Sequence, residues 1–188
     1  MTRKEAIEYN NLLERTMIDA AANYGMDEEI GNYIIDNYVT VIPEDARRGM
    51  IFLGENTVSY KPGNIKIDLK KALVAGIEML ISTSNPENVL NYIQLLIVFL
   101  IFIEKASKVE IGKIESHIIY VLHSHNSYDQ GLDEECLTNQ VIKSYKEKEN
   151  ADLSIKQMRD AIKLLYNMEI IDLKDGKINL IEIVWKKK

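Results

Sequence analysis

Apolar residues recur at three- and four-residue spacing along most of this 188-residue chain, which is the pattern of helices with one buried face. The spacing predicts a first helix over about 4–24 that ends at Gly25, and a second helix that begins after Asp27 and ends before Pro43. Acidic residues at the start of the second helix face the positive end of the helix dipole. The first part of the chain is therefore expected to be mainly helical.

The pattern changes between residues 50 and 67. Two short apolar runs, 50–53 and 57–60, flank turn-forming residues and predict a small β-hairpin. A second turn signal at Pro62 and Gly63 precedes a third short strand over 65–67. We therefore expect a small β-element inserted between helices.

Two apolar helices are predicted next, over 68–81 with Asp68 as the N-cap and over 85–107 with Asn85 as the N-cap. The second helix is apolar on nearly all sides between Leu95 and Ile103, so this segment must be sheltered from water. Three interpretations follow: a helix of the core, a homodimer interface, or a pocket for an apolar effector. A change of composition near 107–108 places a domain boundary there.

Three helices and a hairpin are predicted in the remaining residues. After a short strand at 109–111, the helices cover 112–124, 133–147 and 154–168, and Ser154 caps the last of them. Periodicity in this last helix places Ile155, Met158, Ile162 and Leu165 inward and Lys156, Gln157, Arg159, Asp160 and Lys163 outward. Asp175 and Gly176 separate two apolar-rich runs, 170–173 and 178–183. An Asp-Gly pair in this position is a strong hairpin signal, because both turn residues take positive φ.

This order of elements resembles the winged-helix superfamily. Residues 164–171 (LLYNMEII), followed by 175–178 (DGKI), resemble the end of the third helix and the wing of that superfamily. The resemblance covers roughly 109–185 and rests on element order. The expected fold is mainly α with minor β: a helical domain with a small β-hairpin at 1–108, then a winged-helix domain at 109–188.

Winged-helix domains often bind DNA with the third helix in the major groove and the wing along the backbone. The resemblance therefore implies a nucleic-acid-binding set formed by polar residues of the third helix and of the wing: Lys156, Gln157, Arg159, Lys163, Lys174 and Lys177. On this basis we expect a non-enzymatic regulatory or adaptor protein, with DNA binding as a transcriptional regulator as the leading mechanism.

Charge keeps a second function open. The net charge is -6, which argues against a general attraction of the whole protein to nucleic acid or to an anionic membrane. From residue 111 onward the chain contains 12 Lys and Arg and 13 Asp and Glu, so its charge is nearly balanced. Dedicated DNA-binding modules, in contrast, are plainly basic. The alternative is a protein–protein interaction component that docks a partner through the winged helix, without nucleic acid.

Catalytic chemistry finds little support in the sequence. None of the common nucleotide-binding, zinc-protease, dithiol or hydrolase motifs occurs, so neither an enzyme nor a cofactor is expected. The three histidines, His117, His123 and His125, are close in sequence, but the first two do not share a helix face. They are expected to be ordinary surface or helix-end histidines rather than metal ligands.

The single cysteine and the apolar runs indicate the compartment. Cys136 excludes an intrachain disulfide and is expected to be a small buried side chain rather than a nucleophile. The longest apolar run, 95–103, is far shorter than the ~20 residues of a membrane-spanning helix. A soluble, cytoplasmic protein is therefore expected.

Overall fold

Helices account for most of the structure, and the strands are short and antiparallel, so the chain is mainly α with minor β as predicted. The computed structural model describes residues 2–43, 64–81, 86–104 and 112–186. Their elements are α1 (Arg3–Asn23), α2 (Glu28–Tyr38), β1 (Val39–Val41), β2 (Ile65–Asp68), α3 (Leu69–Ile81), α4 (Pro86–Glu104), α5 (Lys113–Ser124), β3 (Leu132–Asp133), α6 (Glu134–Glu149), α7 (Ile155–Asn167), β4 (Ile171–Lys174), β5 (Lys177–Leu180) and β6 (Ile183–Lys186).

The contacts divide the chain into two units. One contains the residues up to Asp68 together with those from Ile183 onward, and the other is Leu69–Glu182. The domain boundary that we predicted between residues 108 and 109 lies outside the described residues and stays a prediction. The strands predicted at 50–53, 57–60 and 109–111 also lie outside them.

The first unit begins with two helices in close contact. A capping box at Thr2 starts α1, and the Asp27 carboxylate accepts a hydrogen bond from the backbone N–H of Glu29 to start α2. A Cβ atom on Gly31 would lie only 2.9 Å from the carbonyl carbon of Met17, so the two helix backbones touch at this point. The predicted starts of both helices are confirmed.

A three-stranded antiparallel sheet, in the order β1-β2-β6, completes the first unit. The strand predicted at 65–67 is confirmed as β2, and Val184 of β6 lies opposite Ile67. We had predicted one strand over 178–183. This was wrong: β5 ends at Leu180, and β6 begins at Ile183 in a different sheet. Pairing with a strand more than 100 residues earlier leaves no local signal in the sequence.

The second unit is built around α4 and α5. Helix α4 packs against α3 and α5, while α5 also packs against α6 and α7. The second sheet has the order β3-β5-β4, in which the two residues of β3 join the hairpin formed by β4 and β5. The described part of the chain from α5 to β5 thus contains three helices and a three-stranded sheet.

The apolar segment 95–103 is a core helix in a single copy of the chain. Seven of its nine side chains are buried, and only Val98 and Phe102 are partly exposed. A homodimer built on this segment would have only those two side chains for its contact. None of the described helices is long and apolar enough to cross a membrane.

Candidate functional site

Helix α7 has one fully buried face and one fully exposed face. Its N-terminus is fixed by a capping box at Ser154, and Met158, Ala161, Ile162 and Leu165 are buried. The opposite face carries Lys156, Arg159, Asp160 and Lys163, all exposed. Because the three cations follow one another at three- and four-residue spacing, they form a positive strip along the helix, and the Asp160 carboxylate lies beside it.

Gln157 has a structural role at the start of α7. Its side-chain carbonyl accepts hydrogen bonds from the backbone N–H of Ser154 at 3.1 Å and from the Ser154 hydroxyl at 2.7 Å. The side chain is exposed, as predicted, but its acceptor oxygen is engaged in capping the helix. Only the amide N–H groups of Gln157 remain to donate to a ligand.

The hairpin places two more cations next to each other. Asp175 and Gly176 form the turn with φ of 52° and 75°, as the sequence predicts. Lys174 and Lys177 flank this turn as directly opposed residues of β4 and β5, and both are exposed. Like charges in opposed positions destabilise a strand pair, and Asp172 offsets part of this at 3.8 Å from the Lys174 ammonium.

Acidic side chains lie beside the positive strip. The Asp133 carboxylate caps α6 by accepting a hydrogen bond from the backbone N–H of Cys136 at 2.7 Å, and Glu134 and Glu135 follow in the first turn. Glu134 Oε1 lies 3.8 Å from Arg159 Nε. The negative start of α6 therefore reaches the middle of the positive strip on α7.

Apolar side chains are also exposed on α7 and on the hairpin that follows it. Ile155, predicted to point inward, is 58% exposed, because it lies in the first turn of α7. Tyr166 near the end of α7 and Leu173 in β4 are exposed as well. Helix α7 and the hairpin thus expose apolar side chains as well as cations.

The three histidines occupy three different environments. His125 is the exposed C-cap of α5, as expected for a helix-end residue. His123 is partly buried, and its Nδ1 lies 2.6 Å from the Tyr128 hydroxyl. His117 is fully buried, so the expectation of a surface or helix-end residue is wrong for this position. Within the described residues, no group of three or more His, Cys, Asp and Glu side chains is placed to hold a metal ion.

His117 lies in a polar cluster between α5 and α6. Its Nδ1 lies 3.0 Å from the Ser144 hydroxyl, and its ring packs at 5.2 Å from the Tyr145 ring. Its Nε2 lies 3.6 Å from the Glu149 carboxylate, beyond hydrogen-bonding distance, and Glu149 also forms an ion pair with Lys113. Burial lowers the pKa of His117, and the nearby Glu149 carboxylate offsets only part of this effect.

This cluster makes the stability of the protein depend on pH. The unfolded chain protonates His117 near pH 6.5, whereas the folded chain does so only at lower pH. The free energy of unfolding is therefore expected to fall as the pH drops below 6.5, by up to about 1.4 kcal/mol per pH unit for this one proton. Urea unfolding at several pH values measures the slope, which should become shallower in His117→Gln. An unchanged slope in His117→Gln would contradict the assignment.

Cys136 and a cavity in a polar loop are two further candidate features. Cys136 is partly exposed rather than buried as expected, and its sulfur accepts a hydrogen bond from the Gln140 side-chain amide at 3.2 Å. A cavity of about 290 Å³ lies at the loop 125–132, lined mainly by polar residues of that loop. Its lining includes two titratable side chains, His125 and Asp129.

The six residues predicted to bind nucleic acid are thus all exposed, on α7 and on the hairpin that follows it. Sequence reasoning missed the Gln157 capping bond and the Glu134–Arg159 ion pair. The first has a local signal, since Ser154 and Gln157 form a capping-box pattern; the second joins two helices and has none. No family model, no curated protein and no solved structure matches this chain.

Proposed function

We propose that this protein is a non-enzymatic, cytoplasmic regulator that binds duplex DNA through α7 and the β4–β5 hairpin. The observation that carries the proposal is the exposed positive strip of Lys156, Arg159 and Lys163 on a helix followed directly by a hairpin with two opposed lysines. Such cations contact phosphates and, from a helix in the major groove, base edges.

We further propose that the residues from α5 to β5 form a winged-helix module, whereas β6 belongs to the first unit. Three helices, α5, α6 and α7, precede the β4–β5 hairpin, which is the order on which the resemblance rests. The short strand β3 adds to the hairpin and fixes it to the helices through a common sheet. A hairpin held in this way presents its turn at a defined position relative to the end of α7, as a wing must.

The hairpin supports an anionic ligand on electrostatic grounds. Lys174 and Lys177 repel one another across the strand pair, and a phosphate between them would relieve that repulsion. The nearly balanced charge of the surrounding residues predicts modest affinity that depends strongly on salt.

The test is fluorescence anisotropy with random-sequence duplex DNA at low and moderate salt. We expect micromolar binding that weakens with salt, and a loss of about tenfold or more in the double variant Arg159→Ala/Lys163→Ala, with a shallower salt slope. The matched control is Lys4→Ala/Arg15→Ala, which likewise removes one lysine and one arginine, but from exposed positions of α1.

Two outcomes would count against the proposal. Absence of binding at low salt would exclude general DNA binding by the isolated protein. Equal losses in the two double variants would show that only net charge matters, and that α7 is not the contact surface.

The exposed apolar residues favour a second function, protein docking by the same module. Ile155 is 58% and Leu173 51% exposed. Apolar side chains make no electrostatic contact with the DNA phosphates, whereas they are typical of protein–protein contacts. If this function is correct, a protein partner will be retained by the wild type and lost from Ile155→Ser/Leu173→Ser in a pull-down. DNA affinity should then be absent in both.

A further inference from the structure

We propose that Glu134 is an electrostatic restraint on Arg159 that sets how tightly this surface binds DNA. This inference rests on the proposed function and deepens it. It assigns a role in binding to an acidic residue outside the positive strip, and it predicts a variant that binds more tightly than the wild type.

Glu134 lies close enough to Arg159 to compete with a ligand phosphate for its guanidinium group. Glu134 Oε1 lies 3.8 Å from Arg159 Nε, and the side chains are 56% and 71% exposed. Both come from well-fixed helices, since Asp133 caps α6 immediately before Glu134 and Ser154 caps α7. The pair therefore lies at the surface, where a phosphate can reach the guanidinium.

The carboxylate acts against DNA in two ways. A phosphate that binds Arg159 must displace Glu134 from the guanidinium, and any phosphate near Arg159 is repelled by the remaining negative charge. An exposed ion pair is weak, so the restraint is readily reversed and does not block binding. Arg159 lies between Lys156 and Lys163 in the positive strip, so the restraint acts on a cation in the middle of the proposed contact surface.

Glu135 provides a control within the same turn. It is exposed, it carries the same charge, and it also lies in the first turn of α6. Glu134→Gln and Glu135→Gln therefore change net charge and the interaction with the helix dipole by equal amounts. Only the first variant removes the carboxylate paired with Arg159.

The experiment measures duplex DNA affinity by anisotropy at low salt for wild type, Glu134→Gln and Glu135→Gln, each with and without Arg159→Ala. Thermal unfolding confirms that each variant is folded. We expect Glu134→Gln to bind about three- to fivefold more tightly than wild type, with a gain that shrinks as salt rises. In the Arg159→Ala background this gain should fall to that of Glu135→Gln.

The possible results separate this inference from the proposed function. If wild type binds and Arg159→Ala weakens binding, but Glu134→Gln and Glu135→Gln behave alike, the restraint is overturned while DNA binding stands. Binding by Glu134→Gln where wild type does not bind would mean that the carboxylate blocks the surface, which contradicts both a readily reversed restraint and the proposed function of the wild type. If neither binds, both proposals fail.

Discussion

Replacing Gly76 with alanine is expected to destabilise the protein by about 3 kcal/mol, even though alanine is the better helix former. Gly76 lies in α3 where this helix crosses α4. A Cβ atom at this position would overlap two ring carbons of Tyr92, far inside van der Waals contact. The ring must therefore move if the methyl group is present.

Tyr92 has little room to move. Its side chain is buried, and its hydroxyl donates a hydrogen bond to the backbone carbonyl of Ala72 at 2.8 Å. Ala72 and Gly76 are one helical turn apart, so the ring lies in a groove formed by two small residues of α3. Displacing it strains the packing, at about 1–3 kcal/mol, and breaks a buried hydrogen bond, at about 1–3 kcal/mol. Together these losses outweigh the gain of about 1 kcal/mol in helix propensity.

The sign of the stability change in urea unfolding tests this contact. Without the close approach, Gly76→Ala would stabilise α3, so a neutral or stabilising result would contradict the packing described above. Val74→Ala, at an exposed position of the same helix, is the control and should change stability by about 0.5 kcal/mol or less. The double variant Gly76→Ala/Tyr92→Leu should lose less than the sum of the two single variants, because the clash is gone.

The starts of α2 and α7 could be predicted from sequence because the interactions that fix them are local. Asp27 bonds to a backbone amide two residues ahead, and Ser154 pairs with Gln157 three residues ahead. The turn at Asp175 and Gly176 likewise depends on the φ preferences of adjacent residues. Signals that span four residues or fewer are visible in the order of amino acids alone.

Strands that pair over long distances could not be predicted in this way. Val39–Val41 looks like the end of the second helix, and it is a strand only because β2 lies beside it. The alternation of 178–183 looks like one strand, and it is divided because Ile183 pairs with Asp68. In both cases the deciding partner is remote in sequence.

In the candidate site, too, local features could be predicted from sequence and features that depend on helix packing could not. The outward positions of α7 follow from helical periodicity, so Lys156, Arg159 and Lys163 were correctly predicted to be exposed. Ile155 was assigned to the buried face by the same periodicity, but a residue in the first turn has no preceding turn to cover it. The burial of His117 and the approach of Glu134 to Arg159 depend on how α5, α6 and α7 pack.

The last strand provides the second large effect, because its two faces differ sharply in burial. Val184 is 1% exposed and lies opposite the buried Ile67, whereas the preceding Ile183 is 37% exposed and lies opposite Asp68. Successive residues of a strand point to opposite faces, so adjacent substitutions with the same new residue give a matched comparison.

Val184→Asn is expected to destabilise the first unit by about 3–4 kcal/mol, because it replaces a buried apolar side chain with a polar amide in an apolar environment. Ile183→Asn should cost about 1 kcal/mol or less, since that side chain already contacts water. Trp185, the only tryptophan of the chain, lies in β6 next to Val184. Its fluorescence during urea unfolding therefore reports directly on this strand. Similar losses in the two variants would contradict the register of β6 against β2. A large loss in Val184→Asn alone would show that the final residues of the chain stabilise the unit that contains its first helix.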